Sequence, residues 1–162
     1  MKIGLNMATS INRKLGHVVL NVSSLARSVP FYEALLGISE VARMDEAGRK
    51  IVGAEMVFFS FGDSHHDLGL REVPSGTSVV PEALGLAHVA FKIGESLTQL
   101  HDHAAHLRAR GIEFAFTRDH IVSQSIYVKD PDGILVEMYV DAAPEIWRND
   151  PSLVASVLPL DL

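Results

Sequence analysis

Three histidines and one glutamate recur in this sequence at a matched interval. His17 and His66 lie 49 residues apart, His88 and Glu137 also lie 49 apart, and the second pair is shifted from the first by 71. His17 and His88 open similar apolar runs, GHVVLNV from Gly16 and AHVAFKI from Ala87, while His66 lies in HHDLGL from His65 and Glu137 in ILVEMYV from Ile134. A duplicated half-domain leaves this pattern when each copy turns two polar side chains toward one place, and the chemistry it points to first is metal binding. His17, His88 and Glu137 supply two imidazoles and a carboxylate, a set suited to Fe(II), Mn(II) or Zn(II). Arranged on one face of an octahedron, it leaves positions for a chelating substrate and a gas. The repeat makes His66 the counterpart of Glu137, so a site of four protein ligands stays open.

Each residue also has a plainer explanation. A lone histidine in a strand is more often a half-buried hydrogen-bonded group than a ligand. Glu137 resists that account, because Ile134, Leu135, Val136, Met138, Tyr139 and Val140 surround it in sequence and an unpaired carboxylate there carries a large desolvation cost. His101, His103 and His106 are mixed with Asp102 and Arg108 in a helical segment and read as a solvated helix face. The stretch TRDHIVSQSIYVKDPDG, from Thr117, adds His120 and Tyr127. Tyr127 precedes Glu137 by ten residues across one tight turn, so a hairpin brings its phenol near the carboxylate. A histidine beside a metal-bound hydroxyl can exchange protons near neutral pH.

The elements that must position these groups repeat in order. Residues 16–22 alternate as a strand, with His17, Val19 and Asn21 on one face. A helix follows from about Leu25 to Leu36, with Ser23 or Ser24 as its cap and Gly37 as its stop. Residues 38–44, 54–61 and 66–71 read as three strands. Residues 74–85, with two prolines and two glycines, read as a linker. The second half repeats the order: a strand over 86–93, a helix over 96–110 closed by Gly111, and strands over 112–116, 125–129 and 134–140. DPDG from Asp130 makes the turn before the last strand. The expected fold is therefore α+β, with paired βαβββ modules forming one curved mixed sheet around a metal-centred cavity. One domain of two modules, about 14–73 and 85–142, would carry a C-terminal tail over 143–162 that packs on the body or on a partner subunit.

Composition limits the partners. The 162 residues carry a net charge of -6 with 48% hydrophobic residues and no basic tract, so a globular protein is expected and nucleic acid is not an expected partner. No apolar run has the length of a membrane span, and the first residues, MKIGLNMATSINRK, lack a signal-peptide pattern. The cytoplasm is the default compartment. The absence of cysteine excludes disulfides and thiolate metal sites.

At these motifs the chain resembles the vicinal oxygen chelate superfamily, which contains glyoxalases, bleomycin- and fosfomycin-resistance proteins, methylmalonyl-CoA epimerases and type I extradiol catechol dioxygenases. The likeness runs from Leu15 to about Trp147. LGHVVLNVSSLARSVPFYEALLG and DPDGILVEMY carry the superfamily resemblance; HHDLGL, LAHVAFKI and DHIVSQSIY are similar to the catechol 2,3-dioxygenase group. The resemblance implies that His17, His88 and Glu137 hold Fe(II), with Mn(II) as the other metal. It makes His66 an acid/base beside the metal, and His120 and Tyr127 hydrogen-bonding partners of a bound catecholate. It implies an Fe(II)-dependent enzyme that inserts dioxygen into a catechol ring beside its vicinal hydroxyls, giving a 2-hydroxymuconic semialdehyde type of product. The chain lacks the additional module pair of the longer two-domain dioxygenases, so its own loops, its tail or another subunit of a homo-oligomer must enclose the far side of the substrate. The competing readings are a glyoxalase- or epimerase-like lyase or isomerase, which favours a fourth protein ligand, and a non-catalytic drug-binding resistance protein.

Overall fold

The computed structural model describes residues 14–73 and 85–162, so residues 74–84 of the expected linker and the first residues lie outside the described residues. The first module contains β1 (Val18–Val22), α1 (Leu25–Leu36), β2 (Glu40–Arg43), α2 (Glu46–Val52), β3 (Met56–Phe59) and β4 (Leu68–Glu72). The second contains β5 (Val89–Gly94), α3 (Leu97–Ala109), β6 (Phe114–Asp119), β7 (Ser123–Lys129) and β8 (Leu135–Asp141). The tail forms α4 (Glu145–Asn149) and a 3-10 turn (Pro151–Ala155). The duplicated βαβββ order is present, with α2 inserted in the first copy. That short helix starts at Asp45, whose carboxylate accepts from the Gly48 amide, and stops at Gly53 with φ 71°.

Each module is a four-stranded mixed sheet with the same order: β1-β4-β3-β2 and β5-β8-β7-β6. In both, the first and last strands pair in parallel and the remaining pairs are antiparallel. The period-two alternation gives the second sheet two distinct faces. Ile126, Val128, Val136, Met138 and Val140 are fully buried and share the core with Leu100, Ala104 and Leu107 of α3. Burying a side chain of this size stabilises the fold by roughly 1.5–3 kcal/mol. The other face carries Ser125, Tyr127, Glu137 and Tyr139.

The expectation of one curved sheet around a metal-centred cavity is not met. There are two separate sheets flanked by helices, and among the described residues no group of three or more His, Cys, Asp or Glu side chains is placed to hold a metal ion. The physical reason lies in how the modules meet. β1 and β5 are edge strands without a ladder between them, and the cross-module polar contacts run through helices and turns instead. Asp132, in the β7–β8 turn, accepts from the Ser23 amide at 2.8 Å, from the Ser23 hydroxyl and from Arg27 at 3.1 Å. The buried Tyr32 hydroxyl donates to Asp130 at 3.0 Å. Burial pushes the Tyr32 phenol far up and raises the Asp130 carboxyl above the usual carboxylate range.

The start of α1 also differs from expectation. Ser24 occupies the cap position but its side chain makes no capping bond. The orphan amides there are met from a distance, by Asp132 at Ser23 and by Glu72 of β4 at Leu25, 2.7 Å away. Two carboxylates at a helix N-terminus also suit its partial positive charge.

Candidate functional site

Glu137 sits in the middle of β8, 8% exposed, on the face opposite the core. Two groups answer its charge. Ser125 on β7 donates to Oε1 at 2.6 Å, and His88 Nε2 lies 3.1 Å from Oε2. His88 immediately precedes β5, and its face is set by the register: Ala90, two residues on, pairs with Glu137. Tyr127 pairs with Glu137 from the other side, and Phe116 of β6 pairs with and stacks on Tyr127, ring centroids 4.4 Å apart. A row therefore crosses the sheet as Phe116, Tyr127, Glu137 and Ala90. The Tyr127 phenol is pushed up to about 12, first by burial and then by the Glu137 charge.

His120 lies in the β6–β7 hairpin turn. Its Nε2 is 3.0 Å from the Tyr127 hydroxyl and its Nδ1 2.9 Å from the Ser156 carbonyl. The turn is closed by Asp119, whose Oδ1 accepts from the Ile121 amide and from Gln124. Ile121 has φ 68°, the one non-glycine residue with positive φ among the described residues. For a β-branched side chain this region is an outlier that the surroundings must enforce.

The first module presents its own pair. His17 precedes β1, His66 precedes β4, and their rings lie 4.3 Å apart. His66 Nδ1 is 2.6 Å from that of His65, and the Phe58 ring meets His66 edge-on. Desolvation first, then His17 and His65, hold the His66 imidazole below its ordinary value.

Strand register corrects the pairing of His66 with Glu137. In the first sheet the row matching Phe116–Tyr127–Glu137–Ala90 is Ala42–Phe58–Gly69–Val19. The counterpart of Glu137 is Gly69, and His66 lies three residues earlier, outside the strand. The paired residues Val19 and Gly69 are 50 apart, whereas Ala90 and Glu137 are 47 apart. The equal interval of 49 thus joined residues that the fold does not make equivalent. A Cβ at Gly69 would meet Val19 Cγ2 at 3.2 Å and Phe58 at 3.7 Å. This position offers no fourth ligand.

The structure thus brings His88, Glu137, Tyr127 and His120 into one connected group, and His17 and His66 into another. The donor types suit a divalent metal, but among the described residues of one chain they form the pairs His88/Glu137 and His17/His66 and no three-ligand centre. Of the helix histidines, His101 is exposed as expected. His103 and His106 instead turn toward α1: His106 Nε2 lies 3.1 Å from the Ala34 carbonyl, and His103 Nε2 is buried without a partner. Ser125 and the Ser156 carbonyl were not foreseen. Ser125 is two residues before Tyr127 and so shares its strand face, which is a readable signal; a tail carbonyl leaves none.

The Glyoxalase/Bleomycin resistance protein/Dioxygenase superfamily model matches residues 14–138, and the chain belongs to that superfamily. Catechol and biphenyl-diol dioxygenases are among its relatives. Biphenyl-2,3-diol 1,2-dioxygenase 3 of Rhodococcus globerulus is 32% identical over 84% of this chain and 68% of its own length. Catechol-2,3-dioxygenase of Bacillus subtilis is 31% identical over 84% of this chain, which spans only 44% of that enzyme. Among solved structures, a glyoxalase/bleomycin resistance protein/dioxygenase domain from Frankia sp. EAN1pec aligns with TM-score 0.67 and 22% identity, covering 82% of this chain and all of the other. Glyoxalase I of Leishmania major aligns with TM-score 0.62 and 21% identity over 88% of this chain and 96% of its own. The fosfomycin resistance protein FosX of Listeria monocytogenes aligns with TM-score 0.59 and 20% identity over 83% and 98%. These structural likenesses establish the fold. It is a metalloenzyme-like fold, consistent with extradiol dioxygenase and with glyoxalase or FosX chemistry alike. No helix among the described residues is long and apolar enough to cross a membrane.

Proposed function

We propose that this chain is a metal-dependent enzyme acting on a small molecule with two neighbouring oxygen atoms, and that its reaction is extradiol cleavage of a catechol ring. The observation that carries the reading is the connected group His88–Glu137–Tyr127–His120, which sets a hydroxyl and an imidazole beside a buried carboxylate. The dioxygenase relatives, at 30–32% identity, support the chemistry. The proposed ligands are His17, His88 and Glu137, with Fe(II) or Mn(II) as the metal. Bound there, the metal would supply chelation of both substrate oxygens and, for iron, a route for electron density to dioxygen. Because one chain holds His88 and Glu137 together and His17 apart from them, the proposed centre draws on a second copy in a homo-oligomer.

The chain's own residues would do the rest. Ser125 holds one Glu137 oxygen, leaving the other for His88 or a metal. Tyr127 and His120 would hydrogen-bond the substrate oxygens. His66, its imidazole held toward the neutral form, would take up a substrate proton as a base and return it as an acid.

A glyoxalase- or FosX-type lyase or isomerase is the second reading, and whole-length fold likeness backs it more directly. Glyoxalase I and FosX are covered over 96% and 98% of their lengths, against 44–68% for the dioxygenases. Gly69, where a fourth ligand would stand, weighs against it. Anaerobic loading with Fe(II), followed by a catechol panel in air, separates the two. Oxygen uptake with a yellow product is expected. No uptake, with turnover of thiohemiacetal or acyl-CoA substrates, would replace the first reading by the second.

A further inference from the structure

The tail reaches the site through one atom. Beyond its 3-10 turn it runs beside β6, the edge strand of the second sheet. Asp119 and Leu158 exchange amide bonds at 3.0 and 2.7 Å, Thr117 donates to the Leu160 carbonyl, and Leu160 and Leu162 pack on the core. This docking places the Ser156 carbonyl 2.9 Å from His120 Nδ1.

A carbonyl oxygen can only accept. Nδ1 must therefore carry the proton, and in the neutral ring Nε2 is then left as an acceptor. Nε2 lies 3.0 Å from the Tyr127 hydroxyl, which has a single proton to give. Two acceptors stand within its neighbourhood, His120 Nε2 at that distance and the carboxylate of Glu137, its register partner on β8. With Nδ1–H selected, the phenol donates to His120 and Glu137 keeps its lone pairs. In the other tautomer Nε2–H would donate to the phenol oxygen and turn the phenol proton onto Glu137. We infer that the C-terminal tail is a positioning element for the site: through the Ser156 carbonyl it selects the His120 tautomer and so directs the Tyr127 hydroxyl away from Glu137. The inference rests on His120 and Tyr127 being site residues, and it assigns the tail a role in setting hydrogen-bond direction.

Ring 15N chemical shifts of the 15N-histidine-labelled full chain read the tautomer without metal or substrate. They are taken at about pH 8, where neutral imidazole dominates, and His120→Gln identifies the signal. A protonated Nδ1 and bare Nε2 are expected; Nε2–H in the unmodified chain overturns the inference. Leu158→Pro deletes the amide that donates to Asp119 and should shift the ring toward Nε2–H. Amide signals of residues 156–160 verify that the tail has lifted, and a lifted tail with unchanged Nδ1–H also overturns it. If Leu158→Pro leaves the tail docked, Leu160→Glu, which places a charge where the tail packs on the core, supplies the same test. Ser156→Ala keeps the carbonyl and should change nothing; a tautomer change there overturns the assignment to the backbone. Turnover with catechols judges the ring-cleaving reading separately, since the tautomer is measured with no reaction running.

Discussion

Glu137 is a buried acid whose two oxygens have different partners, and this makes its surroundings testable one atom at a time. Ser125 is fully buried and its hydroxyl has Glu137 as partner. Ser125→Ala should cost about 1–3 kcal/mol in urea unfolding, the usual penalty for a buried charged acceptor losing a donor. A loss within error would mean that solvent or His88 already satisfies the carboxylate. On the opposite sheet, Gly69 is the register counterpart of Glu137, and a side chain there has room if Val19 gives way slightly. Gly69→Glu should therefore fold, tighten divalent-metal binding and lower ring-cleaving turnover by filling an open coordination position. Calorimetric metal titration beside oxygen uptake checks both halves. Weaker metal binding in a folded variant would remove Gly69 from the neighbourhood of the metal.

At the scale of elements, α1 links the two modules. Its N-terminus is held by Asp132 from the distant β7–β8 turn, and its C-terminal turn faces α3 through His103 and His106. Asp132→Ala removes the acceptor of the Ser23 amide, the Ser23 hydroxyl and Arg27. We expect a loss of about 1–3 kcal/mol, read as a shift in the urea midpoint; Arg27, being exposed, contributes little of it. The α1–α3 contact carries a pH dependence. His103 is held below its ordinary value by burial first and then by His106, while the nearby Leu35 backbone opposes this; Arg110 bonds His106 on the same face. Between the lowered folded value and the unfolded value of about 6.5 the unfolded chain binds more protons. Stability therefore rises with pH across that window and is lost as pH falls through it. His103→Gln should flatten the change in unfolding free energy between about pH 8 and pH 5 relative to the unmodified chain, the window that brackets an ordinary histidine. An unchanged slope would show that His103 does not titrate with unfolding.

For the whole molecule, the pairs His17/His66 and His88/Glu137, one on each sheet, pose the question of assembly. If His17 of one copy and Glu137 of another serve one metal, two defective variants should complement each other. His17→Ala and Glu137→Ala, each inactive alone, should recover about a quarter of the intact sites when unfolded together and refolded, the statistical yield for a two-fold dimer. Iron retained after gel filtration measures it, and light scattering should report twice the chain mass. A monomer with no recovery would retire the two-copy centre.

How much of this was legible in the sequence depended on how local each signal was. The α1 stop at Gly37, with φ 65°, and the DPDG turn were readable because they rest on a few adjacent residues. The strand run around Glu137 was readable because alternation of burial is a property of one strand. The helix α2 went unseen because it buries no residue and therefore has no apolar period. The carboxylates that hold the α1 N-terminus were also invisible, since Asp132 lies 109 residues from Ser23 and Glu72 lies 47 from Leu25. By itself the sequence determined the superfamily, the duplicated βαβββ order and the residue types of the candidate site. Tertiary structure decided that Gly69, and not His66, answers Glu137, that two sheets stand apart, and that a tail carbonyl meets His120. The reason is physical: residue types and their alternation are local, whereas register and the meeting of modules are set by pairing and packing between segments far apart in the chain.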